Sequence, residues 1–271
     1  MSFETQATTA MTQLARDAVW FDLDTQSHRR ASARVLKRLF FNLARALGSD
    51  VFAEAGAMDA RYSVRARKVL PKAQIIAFEA NPHNHAAFSV TPEMADARVD
   101  YRLTALSDHD GPQRFKVLVW ENGRERRKVS GRSSLMEREA GRAARYEEVE
   151  VPGTTLDTAL GPLPGRVALK VDVEGAAEPV LRGAAQTLAR TDLVVIEVET
   201  RAFWQGQWLH LDVCAHLMAA GLIPVARDFE FPNQFNLVFL SPRALGQAGV
   251  LEALERYHSW LAVQAANDWA G

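Results

Sequence analysis

Arg166–Ala184, RVALKVDVEGAAEPVLRGA, is the stretch that decides how this chain is read. Its first part, Val167-Ala168-Leu169-Lys170-Val171, is short, apolar and rich in β-branched residues, the pattern of a strand buried in a parallel sheet. Asp172, Glu174 and Gly175 come where such a strand ends. From Ala176 to Leu188 the spacing turns helical, with Val180, Leu181, Ala184 and Leu188 on one face. The carboxylates thus fall at the carboxyl end of a central strand, in the turn to a helix, and open α/β sheets bind ligands at that edge. Asp172 and Glu174 would equally serve to cap the helix, because carboxylates favour helix N-termini, and the stretch alone does not separate the two readings.

The flanking sequence extends the alternation. Val51–Ala55 predicts a first strand, followed by a helix from about Ala60 to Leu70. Gln74–Glu79 predicts a second strand with a helix around His83–Ser89, and Val99–Leu106 a third strand. Beyond the opening stretch come a strand over Asp192–Glu197 and a helix over Leu209–Ala220, stopped by Gly221. Strands over Leu222–Ala226 and Phe235–Leu240, joined by the loop DFEFPN, finish the pattern. Strands alternating with helices imply an α/β fold with a mostly parallel, doubly wound sheet, and the last pair supplies an antiparallel edge strand.

One segment breaks the rhythm. Between Gly111 and Val151, Phe115–Trp120 and Tyr146–Val151 flank a charged, glycine-punctuated loop, which reads as an inserted β segment. In that loop Arg124, Arg126, Arg127, Lys128, Arg132, Arg138, Arg142 and Arg145 outnumber Glu121, Glu125, Glu137 and Glu139. A long irregular insertion in a compact domain is usually functional or disordered.

Residues 1–24 are polar and are expected to be loosely ordered, with Trp20 and Phe21 docking onto the body. Thr25–Leu47 predicts a strong amphipathic helix with Leu36, Phe40, Leu43 and Leu47 on one face and Gly48 as its stop. Its Arg29, Arg30, Arg34, Lys37, Arg38 and Arg45 read as a solvated outer face in preference to a polyanion or membrane-surface patch. The organisation expected is an N-terminal helical extension over 1–50, a catalytic domain over 51–243 with the insertion at about 111–151, and a helical tail over 244–271.

The 271 residues are 48% hydrophobic with a net charge of −1, enough chain to bury a large core without disulfides. The single cysteine, Cys214, leaves no internal disulfide and no cysteine-based zinc site. The N-terminus lacks the compact apolar core of a signal peptide and no run is long enough to span a bilayer, so a cytoplasmic location is expected. Near-neutral charge gives no argument for nucleic acid, and a homo-oligomer is left open.

The chemistry starts at the first strand. Its turn, Glu54-Ala55-Gly56-Ala57-Met58-Asp59-Ala60, has one glycine, so it is not the G-x-G-x-x-G cradle for a dinucleotide pyrophosphate. Gly56 allows close approach of a ligand, although a plain tight turn would also use it. Glu79 ends the second strand 23 residues after Gly56, a place suited to ribose hydroxyls. One glycine turn with one ribose acid suits S-adenosylmethionine better than a dinucleotide, because no pyrophosphate has to be held.

In order along the chain, VFAEAGAMDARYS, IIAFEANP, TALSDHDG, Ser133-Ser134, VEVPGTTLDTAL, ALKVDVEGAAEPVLRGA, LVVIEVE and FNLVFLSP resemble the motifs of the FkbM-type methyltransferases. The resemblance runs from about Val51 to Leu240 and implies a Rossmann-like class I methyltransferase fold that uses S-adenosyl-L-methionine, largely for O-methylation. By position it implies that Glu54, Gly56 and Ala57 line the methionine part of the cofactor, that Glu79 and Ala80 hold the ribose end, and that Leu106 and Ser107 lie near the adenine. It puts Asp172 at the reactive end, flanked by Lys170 and Glu174, as the catalytic group facing a small-molecule hydroxyl acceptor, a sugar or a natural product. The chain departs from the family pattern at Glu54, Met58 and Ala60, where aspartate, asparagine and glycine are usual, and at Ala177, where an acid is usual. These departures motivate a second reading, a catalytically impaired binding module on the same fold; RNA methylation is a third. His83, His85, His109 and His210 are alternative bases, and an oxygen cluster of Asp172, Glu174 and Glu197 or Glu199 is an alternative to the expected absence of metal.

Overall fold

The structure, a computed structural model, describes residues 2–141 and 143–266. Met1, Arg142 and the last part of the expected tail, through Trp269 to Gly271, lie outside the described residues.

The chain begins with helices α1 (Phe3–Asp17) and α2 (Gln26–Leu47) and then alternates β1 (Val51–Ala55), α3 (Arg61–Val69), β2 (Gln74–Glu79), α4 (Pro82–Phe88), α5 (Pro92–Asp96) and β3 (Asp100–Leu103). Next come β4 (Ala105–Leu106), β5 (Gln113–Glu121), β6 (Arg124–Glu125), β7 (Ala144–Val151), β8 (Gly153–Thr154) and α6 (Leu156–Leu160). β9 (Val167–Val171), α7 (Ala177–Arg182), α8 (Ala185–Ala189), β10 (Thr191–Glu199), α9 (His210–Ala219), β11 (Ile223–Arg227), β12 (Gln234–Leu240), α10 (Pro242–Leu245) and α11 (Ala248–Ala266) complete it.

Seven strands form one sheet in the order β11-β12-β10-β9-β1-β2-β3. β10, β9, β1, β2 and β3 run parallel, and β12 is antiparallel to both its neighbours. The antiparallel strand expected at this end of the sheet is therefore second from the margin, with β11 outside it. Alternate residues divide the sheet between two cores. Phe52, Ala168 and Val195 face Leu36, Leu39 and Phe40 of α2, while Ala53, Leu169 and Ile196 face Leu156, Leu181 and Leu217 of α6, α7 and α9. Strands β1 and β9 are buried along their whole length, the reason they read as continuous apolar runs.

The structure corrects several expectations. Residues 3–17 are a regular helix, capped by the Ser2 hydroxyl and packed along β11, where a loosely ordered segment is expected. Phe21 does dock, against Phe229 at 5.5 Å between ring centroids. The helix expected over 176–188 is two short helices. Gly183 lies against the Ser107 backbone, where a Cβ would come 2.2 Å from the carbonyl oxygen. Asp157 then caps the second piece through the backbone N–H groups of Gln186 and Thr187. The third strand is also split: β4 leaves the main sheet and pairs with β8, turning the chain into the insertion. The insertion is a three-stranded sheet in the order β6-β5-β7.

The turn after β1 leans on the end of β9. Gly56 has φ +72°, and a Cβ there would stand 1.8 Å from the Asp172 carbonyl oxygen. Gly48 has a similar φ of +59° with nothing within 4 Å. Gly56→Ala is expected to cost about 2–4 kcal/mol in chemical denaturation, from αL strain plus the clash. Gly48→Ala should cost about 1 kcal/mol from the conformation alone. Equal losses would show that the contact with β9 relaxes freely.

Candidate functional site

A cavity of about 500 Å³ opens at the carboxyl ends of β1, β2 and β9, within the size range of small-molecule sites. Glu54, Gly56, Ala57, Glu79, Ala80, Leu106, Lys170, Asp172 and Glu174 all line it. Ser107 does not: it is buried beside the cavity, its N–H donating to the Thr154 carbonyl at 3.0 Å. None of His83, His85, His109 and His210 is among the lining residues. The helix after β9 has no side-chain cap, and its N-cap position is Ala176. Asp172 and Glu174 therefore do not serve as caps, and both face the cavity.

The register explains the arrangement. Glu54 pairs with Lys170 across β1 and β9, so the two side chains share a face, and Asp172 follows two residues later on that same face. Lys170 Nζ lies 2.9 Å from Asp172 Oδ2 and 3.8 Å from Glu54 Oε1. Burial opposes the Lys170 ammonium, but Asp172 and Glu54 outweigh it and hold the group above its ordinary pKa. Glu54 is almost fully buried, and its Oε2 accepts from the Ser63 N–H at 2.8 Å and from the Ser63 hydroxyl at 2.7 Å. Burial raises its pKa, with Lys170 and Ser63 acting against the rise.

Further along the sheet edge the acids accumulate. Glu197 and Glu199 lie on β10, with Gln234 donating to Glu197 Oε1 at 2.7 Å and Gln207 to Glu199 Oε2 at 3.1 Å. Burial, reinforced by Asp172 and Glu199, pushes Glu174 up to about 8. Burial and Asp172 push Glu199 up to about 7. Burial, Asp172 and Glu174 raise Glu197 well above the carboxylate range. The cluster thus holds protons near neutrality, because so many carboxyls cannot all ionise in one buried corner. Among the described residues, no group of three or more His, Cys, Asp or Glu is arranged to hold a metal ion.

The insertion forms the opposite wall. Ser130–Ser133 and Leu135 line the cavity. Ser130 is fastened to Asn84 by two bonds, its N–H to Asn84 Oδ1 and its carbonyl from Asn84 Nδ2, each 2.9 Å. The Ser134 hydroxyl donates to the Glu174 carbonyl at 2.6 Å. Sequence reasoning singled out Ser133 and Ser134 but missed Asn84, Tyr62 and Lys37, which also line the cavity or clasp its wall. Lys37 carried a signal, the basic helix, that reads more simply as a solvated face.

A family model described as the Methyltransferase FkbM domain matches residues 50–229. The chain belongs to that family. Comparison with curated proteins gave no match. Among solved structures, the methyltransferase FkbM from Methylobacillus flagellatus is similar at 12% identity and a TM-score of 0.46, over 70% of this chain and 44% of that one. This chain thus spans less than half the length of that relative. A precorrin-6y C5,15-methyltransferase from Geobacter metallireducens is similar at 15% identity and a TM-score of 0.38, over 73% of this chain and 84% of that one.

The turn after β1 has special backbone at two positions. Met58 and Ala60 both have φ +47°, a conformation that suits asparagine and glycine and strains other residues. The strained turn aims the Met58 N–H at Glu79 Oε2, 2.6 Å away. Glu79 Oε1 accepts from the Asn81 N–H at 2.7 Å and from Asn84 Nδ2 at 3.2 Å. Of about four acceptor positions on a carboxylate, this leaves one open toward the cavity. Burial raises the Glu79 pKa, with Asn81 and Met58 opposing the rise.

The raised carboxyls make stability pH-dependent. Glu174 and Glu199 go from about 4.5 in the unfolded chain to about 8 and about 7 in the fold, so the folded state binds more protons. Their stabilisation is fully present below about pH 4.5 and is lost as the pH rises through 7 to 8. The melting temperature of the wild type is expected to fall between pH 5 and 8.5 more steeply than that of Glu174→Gln/Glu199→Gln. Parallel curves would show that these two groups do not titrate in that window.

Proposed function

We propose that this FkbM-family chain is an S-adenosylmethionine-dependent O-methyltransferase of the cytoplasm that methylates a hydroxyl of a sugar or secondary metabolite, with residues 51–243 as its catalytic domain. The observation that supports this reading is that Gly56, Glu79 and Asp172 line one cavity. Its volume and donor set fit the cofactor. Gly56 and Ala57, whose N–H groups both donate to the Phe78 carbonyl, line the end assigned to the amino-acid half. Glu79 keeps one acceptor position for a ribose hydroxyl, and Ala80 and Leu106 offer an apolar flank to the base. When bound, the cofactor supplies an electrophilic methyl group.

The rest belongs to this chain's own residues. Asp172 accepts the proton of the acceptor hydroxyl, and Lys170 compensates the charge on its carboxylate. The wall formed by Ser130–Ser133 limits the water that reaches the acceptor. Alignment of the acceptor oxygen supplies most of the rate, as in other reactions of two bound partners.

The impaired-module reading is favoured by one observation, that Met58 lines the cavity and its N–H occupies part of Glu79. Thermal unfolding separates the two. S-adenosylhomocysteine at about 100 times its Kd is expected to add ~2.7 kcal/mol, roughly 5–10 °C for a chain of this size, and Glu79→Ala should remove the shift. If the wild type shows no shift at millimolar ligand and Met58→Asn/Ala60→Gly does, the impaired module is the right reading.

A further inference from the structure

The family match begins at residue 50, yet the cavity has a wall that lies before it. Lys37, on α2, lines the cavity beside Glu54, Tyr62 and Lys170. It gets there because the face of the sheet that carries Glu54 and Lys170 is the face α2 covers: Phe52 and Ala168, two residues earlier on the same strands, pack against Leu36 and Phe40.

The two lysines lie close to the same ring. Lys37 Nζ lies 4.2 Å and Lys170 Nζ 5.3 Å from the centroid of Tyr62. Their electrostatic situations differ. Lys170 is compensated by Asp172 and Glu54. Among the described residues Lys37 forms no ion pair, and the other cations near it are Arg65, Lys170 and Arg61, with Glu54 the nearby acid. Glu54 in turn is already engaged by Ser63 and Lys170. Burial and the neighbouring Arg65 lower the Lys37 pKa. A half-buried ammonium in a cavity, short of an anion, is electrostatically completed by a ligand that brings one.

We propose that Lys37 receives the carboxylate of the amino-acid half of S-adenosylmethionine, so that helix α2, outside the matched family segment, completes the cofactor site. The inference rests on the cofactor assignment above. Geometry supports the match. Lys37 stands over Tyr62 and near Glu54 and Lys170, the cavity residues of β1 and β9, whereas the apolar Ala80 and Leu106 come from just after β2 and from β4, so an anionic and an uncharged end of one ligand would meet different residues.

Calorimetric titration of the full chain with two ligands tests this. S-adenosylhomocysteine carries the carboxylate; 5′-methylthioadenosine keeps the nucleoside and the sulfur without the amino-acid part. Lys37→Met preserves the apolar stem over Tyr62 and removes the charge. It is expected to weaken S-adenosylhomocysteine by about tenfold or more, the loss of one charge-assisted contact. Binding of methylthioadenosine should change less than about twofold, and Lys37→Arg should retain most of the affinity. Equal losses for both ligands, or no loss for either while the wild type binds both, would overturn the role of Lys37 and leave the cofactor assignment standing. Failure of the wild type to bind S-adenosylhomocysteine at all would overturn both. A melting temperature for Lys37→Met within a degree or two of the wild type excludes a folding defect as the cause.

Discussion

Lys170 holds an ammonium group below the carboxyl edge of the sheet, and two strands bring acids to it. Glu54 comes from β1 and Asp172 from the end of β9. A buried cation is tolerable only with such partners, so the pairing of β1 with β9 and the chemistry of the cavity depend on the same three groups. The turns above them are set by this closeness. Gly56 passes against the Asp172 carbonyl with no room for a side chain, and the Asp172 N–H donates to Ala55 at 3.0 Å. A change in the β1 turn would therefore move the carboxylate on β9.

The charge gradient along the cavity follows from which strands meet there. At the β1 end, cations predominate over free acids, with Lys37 and Lys170 both close to the Tyr62 ring. At the β10 end, Glu174, Glu197 and Glu199 crowd around Asp172 and hold protons that isolated carboxyls would release. The two ends differ in what they would accept, one an anionic group and the other uncharged hydrogen-bonding groups.

The insertion is tied to both halves of the cavity through buried polar side chains. Asn84 donates to Glu79 and is joined by two bonds to Ser130, so the acid at the end of β2 and the opposite wall share one amide. Ser134 links the same wall to the backbone of Glu174. The strained turn at Met58 and Ala60 belongs to this network, since Met58 bonds Glu79 with its N–H and Tyr101 with its carbonyl. Asparagine or glycine would adopt that backbone with less strain, and this chain keeps it by fixing the turn at both ends.

The amino-acid sequence by itself determined the strands, their parallel order in kind, and the strand-end residues of the cavity. Those features are local: a continuous apolar run marks a doubly buried strand, and an acid immediately after it marks the edge where ligands sit. Hence Gly56, Glu79 and Asp172 were legible from their places at strand ends. Only the tertiary structure decided the rest. Whether Asp172 and Glu174 cap a helix or face a cavity depended on Ala176 taking the N-cap. The break at Gly183 came from a contact with Ser107, 76 residues earlier in the chain. Lys37 looked like one more cation on a basic helix, because periodicity shows which face of a helix is apolar but not which sheet face that helix will cover. That choice sets a solvated lysine apart from one beside the cavity, and long-range packing makes it.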